Sequence, residues 1–438
     1  KANTYFVSLL FGNLIMSAAL FIPMVGIVVF LDHILNIPVE LVVQVKLLFT
    51  LVFISMIVNL LTNVFGVAVF AKNKLFLSSI MDIVIGIVRV VLYLILFLLF
   101  EPTIVYVGVV ALAVAILTAA FQYVYTKKLL PEMKVKRKYF SWAAIKEVLS
   151  SGVWNSVNQI GTVLLSTVGL MMCNSLYSAA EGGDYSIALT IPNFMNGIVS
   201  MLSSVFLPVL TIKYARGNKA EVINHVHMTQ NVIGVIDNVP IAVFMAVGVN
   251  FFRLWTPSAD PYKVQKLSIL AIGYLLITSV SWPLSNLNTV MNRVKIPALV
   301  MVGTGFANIF LILFTYYFTD LGLYSIPLGQ MILFILNRGI FITLYTAKSM
   351  KVKWYTFYPA IIHNLLGAGI IYSISYLVNK IVDPTSWITL IIECVLLGCI
   401  GLVINCLIVF KPSGMKSALA FIKEKEKRKR QSSREFGS

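Results

Sequence analysis

The chain of 438 residues is too apolar for a soluble protein. Hydrophobic residues make up 59% of the sequence, charged residues make up only 12%, and the mean hydropathy is +0.91. This composition predicts an all-α, polytopic membrane protein. A net charge of +17 would indicate a nucleic-acid partner in a soluble protein. In a membrane protein the position of the charges along the chain matters more, and we expect no nucleic-acid partner.

Apolar segments long enough to cross a bilayer recur from one end of the chain to the other. A helix of about twenty apolar residues spans the hydrocarbon core. Twelve such spans are predicted, near residues 5–30, 43–70, 76–100, 103–126, 152–177, 185–212, 229–251, 267–290, 297–318, 323–346, 357–379 and 387–410. We interpret the acidic stretch between the fifth and sixth spans, Glu181-Gly-Gly-Asp184, as a short turn.

The lysines and arginines predict the orientation of these spans. Basic segments occur at 72–74, 127–150, 213–228, 293–295, 347–353 and in the C-terminal tail. The intervening segments carry acidic residues instead: Asp32, Glu40, Glu101, Glu181, Asp184, Asp260, Asp320 and Asp383. Because basic loops stay on the cytoplasmic side of a membrane, both ends of this chain, including the C-terminus, are predicted to be cytoplasmic.

A weak internal repeat divides the chain into related halves. Phe70-Ala-Lys-Asn-Lys74 aligns with Met291-Asn-Arg-Val-Lys295, so spans one to four match spans seven to ten. We expect two pseudo-symmetric six-helix bundles, the first without its first hairpin, followed by two further helices. The predicted domains are an N-terminal bundle (1–130), a basic cytoplasmic linker (131–150), a C-terminal bundle (151–350), two extra spans (351–412) and a basic tail (413–438) that ends like a cloning scar.

Amide side chains recur at helical spacing on the fifth and sixth spans. Steps of three and four residues place side chains on one helical face. A polar face inside a membrane must meet protein or a water-filled cavity. We therefore predict a cavity wall with these substrate-binding amides: Asn155, Asn158, Gln159, Asn174, Asn193 and Asn196. The alternative is that such polar residues only join helices through hydrogen bonds.

Ionisable residues inside the spans add further candidates, because charges in the bilayer are costly and usually functional. Arg338 has no acid nearby in the sequence and is predicted to face an anion or a cavity. Arg89 is predicted either to form a structural pair with Asp82 or to bind substrate. Asp82, seven residues before Arg89, is either its structural partner or an ion-coupling group. Asp237 precedes Pro240, which frees a backbone carbonyl. Asp237 is therefore either a cation or proton site or a polar residue facing the cavity.

The sequence contains no motif for catalysis, nucleotide binding or metal binding. The cysteines lie in apolar runs without the spacing of metal ligands. They are Cys173, Cys394, Cys399 and Cys406. We therefore predict that the protein is not an enzyme and uses no metal or other cofactor.

Several short motifs resemble those of the bacterial polysaccharide flippases. The motifs are Ser151-Gly-Val-Trp-Asn-Ser-Val-Asn-Gln-Ile-Gly161, Gly183-Asp-Tyr-Ser-Ile-Ala188, Ile191-Pro192-Asn193, and Pro208 with Tyr214-Ala-Arg-Gly217. These O-antigen, capsule and teichoic-acid flippases belong to the multidrug/oligosaccharidyl-lipid/polysaccharide exporter superfamily. The resemblance implies a fourteen-helix fold of which this chain would hold helices 3–14.

The resemblance also implies an activity. The substrate would be an oligosaccharide linked to undecaprenyl diphosphate. By alternating access it would move from the cytoplasmic to the external leaflet of the bacterial inner (cytoplasmic) membrane, for the biosynthesis of O-antigen, capsule or another surface polysaccharide. Expected partners are this lipid-linked oligosaccharide, the lipid bilayer, and glycan polymerases or transferases. Three alternatives stay open: a cation-coupled multidrug extruder of the same superfamily, a membrane polymerase or ligase, and a scaffold.

The predicted orientation can be tested with single cysteines in a variant without the native cysteines. A membrane-impermeant maleimide added to intact cells should label Asp320→Cys, which lies in a predicted external segment. It should label Arg216→Cys, in a predicted cytoplasmic segment, only after the membrane is permeabilised. Labelling of Arg216→Cys in intact cells would contradict the orientation.

Overall fold

Twelve helical spans form the computed structural model, which describes residues 2–35, 37–72, 74–132, 136 and 139–409. Each span is long and apolar enough to cross a membrane. Within the described ranges the chain forms no strand. The predicted all-α, multi-pass class is therefore confirmed. The predicted basic tail, 413–438, lies outside the described residues, as do parts of the predicted linker, 131–150.

The helices divide into two compact units, Lys1–Val153 and Trp154–Ser438. The boundary between the units falls inside α7 (Trp142–Leu176). The other helices of the first unit are α1 (Ala2–Val29), α2 (Leu31–Ile34), α3 (Val42–Thr62), α4 (Val67–Ala71), α5 (Leu75–Leu99) and α6 (Val105–Leu129). The predicted domain boundaries, the pseudo-symmetry and the missing hairpin stay predictions.

The second unit continues from α7 through the C-terminal spans. Its helices are α8 (Ala179–Ala188), α9 (Thr190–Ala215), α10 (Lys219–Trp255), α11 (Pro261–Gly273), α12 (Leu275–Val290), α13 (Lys295–Phe318), α14 (Ser325–Phe334), α15 (Thr343–Ser349), α16 (Tyr358–Val382) and α17 (Trp387–Val409). Helix α10 is central, because it packs against α9, α11, α12, α16 and α17.

In the first unit, α3 and α6 form the central helix pair, and the other long helices pack against it. Helix α1 packs on α3, and α5 packs on α6. Gly108 permits the close approach of α6 to α3, since a Cβ at this position would lie 2.9 Å from the Leu51 Cβ. The Thr126 hydroxyl donates a hydrogen bond to the Phe65 carbonyl at 2.5 Å. This contact illustrates how polar groups inside a membrane domain are paired within the protein.

A π-helical segment, Ile335–Ile342, joins α14 to α15. Its backbone pairs residues five apart instead of four, so each turn is wider than an α-helical turn. The Thr343 hydroxyl follows the same spacing and donates to the Arg338 carbonyl, five residues earlier, at 3.3 Å. Wide turns of this kind occur frequently at functional sites, and this one carries Arg338.

The predicted acidic turn between the fifth and sixth spans is wrong in one respect. The break between helices is at Tyr177 and Ser178, and Glu181 and Asp184 lie within α8. The Ser178 hydroxyl caps α8 by accepting a hydrogen bond from the Glu181 amide at 3.1 Å. Both carboxylates form ion pairs with Lys263 of α11, at 2.8 and 2.7 Å. The acids therefore connect two helices and do not form a loop.

Helix α7 packs closely on α13 at two glycines. A Cβ at Gly305 of α13 would lie 2.6 Å from the Leu164 Cβ and 2.9 Å from the Gly161 carbonyl oxygen of α7. Small residues at such positions let two membrane helices approach closely. The second unit begins at Trp154, inside α7. This packing places that part of α7 beside α13.

We expect Gly305→Ala to destabilise the protein by about 1–3 kcal/mol, because the new methyl group overpacks the contact with α7. Gly303→Ala on the same helix is the matched control, since a Cβ there meets nothing within 4 Å. Alanine favours a helix over glycine by about 1 kcal/mol, so the control should be neutral or stabilising. Thermal unfolding in detergent measures both effects, and equal unfolding temperatures for the two variants would contradict the packing.

Candidate functional site

A cavity in the second unit is lined by α7, α12, α13 and the π-helical segment. Its wall combines amides, hydroxyls, two tryptophans and one arginine. The lining residues are Trp154, Asn155, Asn158, Trp282, Ser285, Asn288, Thr289, Val294, Pro297, Met301, Asn337, Arg338 and Ile342. The structure thus brings three predicted substrate-binding residues, Asn155, Asn158 and Arg338, to one cavity.

The Arg338 guanidinium lies over the ring of Trp282, with its central carbon 4.2 Å from the ring centroid. This is a cation–π contact, which stabilises the charge without neutralising it. None of the carboxylates that the structure describes forms an ion pair with Arg338. A positive charge inside a membrane domain without an acidic partner is expensive. The wall of the cavity therefore carries a positive charge that no described carboxylate balances.

The amides of the cavity fall into two groups. Asn288 donates to the Thr346 hydroxyl at 2.8 Å, and Asn337 donates to the Thr304 hydroxyl at 3.0 Å. These bonds hold the two amides in place. Asn155 is exposed and Asn158 is half-buried, and they lie three residues apart on one face of α7. They present donors and acceptors to a polar ligand.

Trp154 supplies a second aromatic surface at the cavity. The Lys295 ammonium lies 5.3 Å from the centroid of its ring. Each tryptophan that lines the cavity is thus paired with a basic side chain, Trp154 with Lys295 and Trp282 with Arg338. Rings of this kind can stack on a flat apolar face of a ligand while the neighbouring cation meets a negative group.

Tyr274 belongs to the same buried cluster as Met301, which lines the cavity. Its hydroxyl accepts a hydrogen bond from Asn196 of α9 at 2.8 Å. Its ring stacks on Phe334 with centroids 4.3 Å apart and an interplanar angle of 11°. Asn196 therefore acts here as a support for Tyr274 and does not line the cavity.

The other predicted amides lie away from this cavity. Gln159 and Asn193 are exposed on their helices and are not among the lining residues. Asn174 packs against α8, where a Cβ at Gly182 would lie 3.4 Å from its own Cβ. Substrate binding by these residues stays a prediction.

The remaining ionisable candidates occupy different environments. Asp82 and Arg89 are both exposed on α5 of the first unit, and within the described chain no ion pair joins them. Asp237 is fully buried in α10, and neither of its carboxylate oxygens has a hydrogen-bond partner among the described residues. Asp82 is therefore exposed at the surface of its unit, whereas Asp237 is enclosed by the helix packing.

Sequence reasoning missed the contribution of α12 and its surroundings. Trp282, Ser285 and Asn288 line the cavity but were not predicted, and neither was Tyr274. A signal was present, because Trp282, Ser285 and Thr289 recur at steps of three and four residues. This polar face of the eighth span lines the same cavity as the amides of the fifth span.

Comparisons with known proteins agree with the fold. No family model matches the sequence. The uncharacterized membrane protein EpsK of Bacillus subtilis (strain 168) is 29% identical over 392 residues, which cover 89% of this chain and 77% of that protein.

Two solved structures are similar over most of the chain. The lipid II flippase MurJ, in an inward closed conformation, has a TM-score of 0.65 and 16% identity, covering 92% of this chain and 83% of that one. An inward-facing multidrug resistance MATE family transporter of the MOP superfamily has a TM-score of 0.64 and 14% identity, covering 80% and 81%. The chain therefore has the fold of the MurJ and MATE transporters, whereas the polysaccharide-type subfamily stays a prediction.

The cavity can be tested by labelling with a water-soluble methanethiosulfonate reagent. Asn155→Cys should react, because this position is exposed at a polar cavity. The native Cys173 is the internal control, since it is fully buried and should stay unmodified. The variant should carry alanine in place of Cys394, Cys399 and Cys406. Protection of Asn155→Cys to the same degree as Cys173 would show that this face of α7 is not accessible to water.

Proposed function

We propose that this protein flips undecaprenyl-diphosphate-linked oligosaccharide from the cytoplasmic to the external leaflet of a bacterial cytoplasmic membrane, by alternating access, for the biosynthesis of a surface polysaccharide. The observation that carries this proposal is the Arg338 guanidinium, which lacks a carboxylate partner in the described chain and lies at a cavity lined by amides and tryptophans.

Arg338 is suited to the diphosphate part of such a substrate. A guanidinium presents parallel N–H donors that match two phosphate oxygens, and it keeps its charge at any physiological pH. The Trp282 ring packs against the guanidinium and restricts its motion, so less side-chain entropy is lost when the anion binds. A diphosphate would bring the negative charge that the cavity lacks.

The other lining groups are suited to sugars. Amides such as Asn155 and Asn158 can both donate to and accept from hydroxyl groups. Trp154 offers an aromatic ring against which the apolar face of a pyranose can pack. The same wall thus combines partners for the charged linkage and for the neutral glycan.

The fold supports transport of some lipid or amphiphile. One structural neighbour is named a lipid II flippase. Other neighbours are multidrug transporters, so a drug extruder is the second candidate, and the two tryptophans of the cavity favour it. Cationic drugs are usually balanced by an acidic group, yet none of the described lining residues is acidic. This charge balance is why we prefer the glycolipid.

We propose no enzymatic activity, and glycan polymerases or transferases are proposed partners.

The proposal can be tested in liposomes that contain an undecaprenyl-diphosphate disaccharide, with lectin binding as the measure of sugar that reaches the far leaflet. Arg338→Glu should slow this movement by about tenfold or more, since hydrogen bonds to charged groups are worth about 1.5–3 kcal/mol. Arg338→Lys should cause a smaller loss, because it keeps the charge but not the forked geometry.

Arg293→Glu is the matched control, with the same change of charge at an exposed position after α12. It should move the glycolipid at the rate of the unmodified protein. Unchanged movement by Arg338→Glu would contradict the proposal. Efflux of a cationic dye without any movement of the glycolipid would instead favour the extruder.

A further inference from the structure

A groove in the first unit lies outside the site described above. Side chains of α1, α3 and α6 line it, together with Asn63 in the turn that follows α3. We call it the first-unit groove. Asn63 and Gln122 also line an adjoining cavity beside α4 and α5. These two amides therefore lie where the two cavities meet.

The polar wall of the first-unit groove consists of three amides, Asn59, Asn63 and Gln122. Asn59 and Asn63 are exposed and lie one helical turn apart. The Gln122 amide oxygen is buried and has no hydrogen-bond partner in the described chain. A primary amide can both donate and accept hydrogen bonds. Such groups match ligands that also do both, and hydroxyl groups have this property.

Other side chains hold the groove in shape. The Asn13 amide donates to the Leu60 carbonyl at 2.8 Å and sets α1 against the last turn of α3. The Thr126 hydroxyl, one helical turn after Gln122, donates to the Phe65 carbonyl in the turn after α3. Gln122 therefore lies level with the end of α3, on the same side of the groove as the other two amides.

The apolar wall of the groove is a stripe on α1. Met16, Leu20 and Met24 follow one another at steps of four residues, so they share one helical face and extend over about 12 Å. Since Asn13 is level with Leu60, this stripe leads away from the amides toward the far end of α3. Methionine side chains adapt to irregular apolar ligands, so the stripe is suited to a flexible chain.

Charge distinguishes this groove from the Arg338 cavity. None of the described residues that line the groove is charged. A charged ligand group buried here would have no counter-charge, which is costly in a membrane domain. The groove therefore favours a ligand without net charge that is polar at one end and apolar at the other.

We propose that the first-unit groove binds an uncharged glycolipid, with its sugar at the three amides and its apolar chain along the α1 stripe. A free sugar would leave the stripe uncovered, and a plain hydrocarbon chain would leave the Gln122 oxygen unpaired. The headgroup of a phospholipid would bring charges that this wall does not balance. The inference goes beyond the proposed function, because it concerns a different unit and a ligand without the diphosphate, and binding can be measured without a transport assay.

The test uses the full chain in nanodiscs of zwitterionic phospholipid, with isotope-labelled methionine methyl groups read by NMR. Hexyl maltoside should shift the signals of Met16, Met24 and Met56 in a saturable manner, because all three line the groove. Met350 of the second unit is buried and should not respond. Met201 is 69% exposed and reports the unsaturable partition of the probe into the bilayer.

Variants of the amides test the polar end of the groove. Gln122→Leu should weaken binding of hexyl maltoside by about fivefold, as expected for the loss of one hydrogen bond. Asn59→Leu should have a similar effect, and it guards against a folding defect because Asn59 is exposed. Gln44→Leu is the matched control, since Gln44 lies on α3 in the same unit but does not line the groove. It should bind the probe as the unmodified protein does.

Two further probes separate the ligand classes. Maltose without a chain should bind at least tenfold more weakly than hexyl maltoside, because each buried methylene group contributes to affinity. Hexyl phosphocholine should leave the groove signals without a saturable shift. Equal binding of hexyl phosphocholine would overturn the proposal in favour of a phospholipid site. Unshifted groove methionines, or unchanged affinity in both Gln122→Leu and Asn59→Leu, would overturn it as well.

Discussion

The exclusion of water from the hydrocarbon core is the constraint on which this structure depends. A polar side chain on a spanning helix has to find its partner within the protein. Gln265 of α11 does so by donating to the Phe244 and Met245 carbonyls of α10 at 3.3 and 3.1 Å. Asn308 of α13 does so by donating to the Leu165 carbonyl of α7 at 3.1 Å. Such hydrogen bonds hold neighbouring helices together. A buried polar group that lacks such a bond is therefore an exception.

Two groups of the second unit stand out against this background, and they differ in sign. Arg338 is a cation at the wall of a cavity, and Asp237 is a carboxylate inside the helix packing. Tyr274 of the same unit is held by a hydrogen bond from Asn196 and by stacking on the ring of Phe334. The fold thus separates two opposite charges that could have neutralised each other. Separated charges of this kind are available to ligands, whereas a paired arginine and aspartate are not.

Much of the fold follows from the sequence, because span length and hydropathy depend on local composition. The candidate site follows less well. Asn155 and Asn174 belong to the same predicted stripe, but nineteen residues of helix separate them by about 28 Å, and only Asn155 lines the cavity while Asn174 packs against α8. Trp282 comes from a helix remote in sequence, and its stacking on Arg338 exists only in the folded chain. The helical position of Glu181 was missed because two glycines follow it, and the Ser178 cap outweighs their low propensity.

The wide turn that carries Arg338 has a consequence for how this protein can vary in length. A π-helical turn holds more residues than an α-helical one. Deleting one residue between Ile335 and Ile342 would let the backbone return to α-helical pairing, with α14 and α15 close to their present positions. The deletion would nevertheless turn the guanidinium away from the Trp282 ring. Related chains that are one residue shorter here should therefore keep the architecture and lose the contact between Arg338 and Trp282, which makes the length of this segment a marker of ligand class.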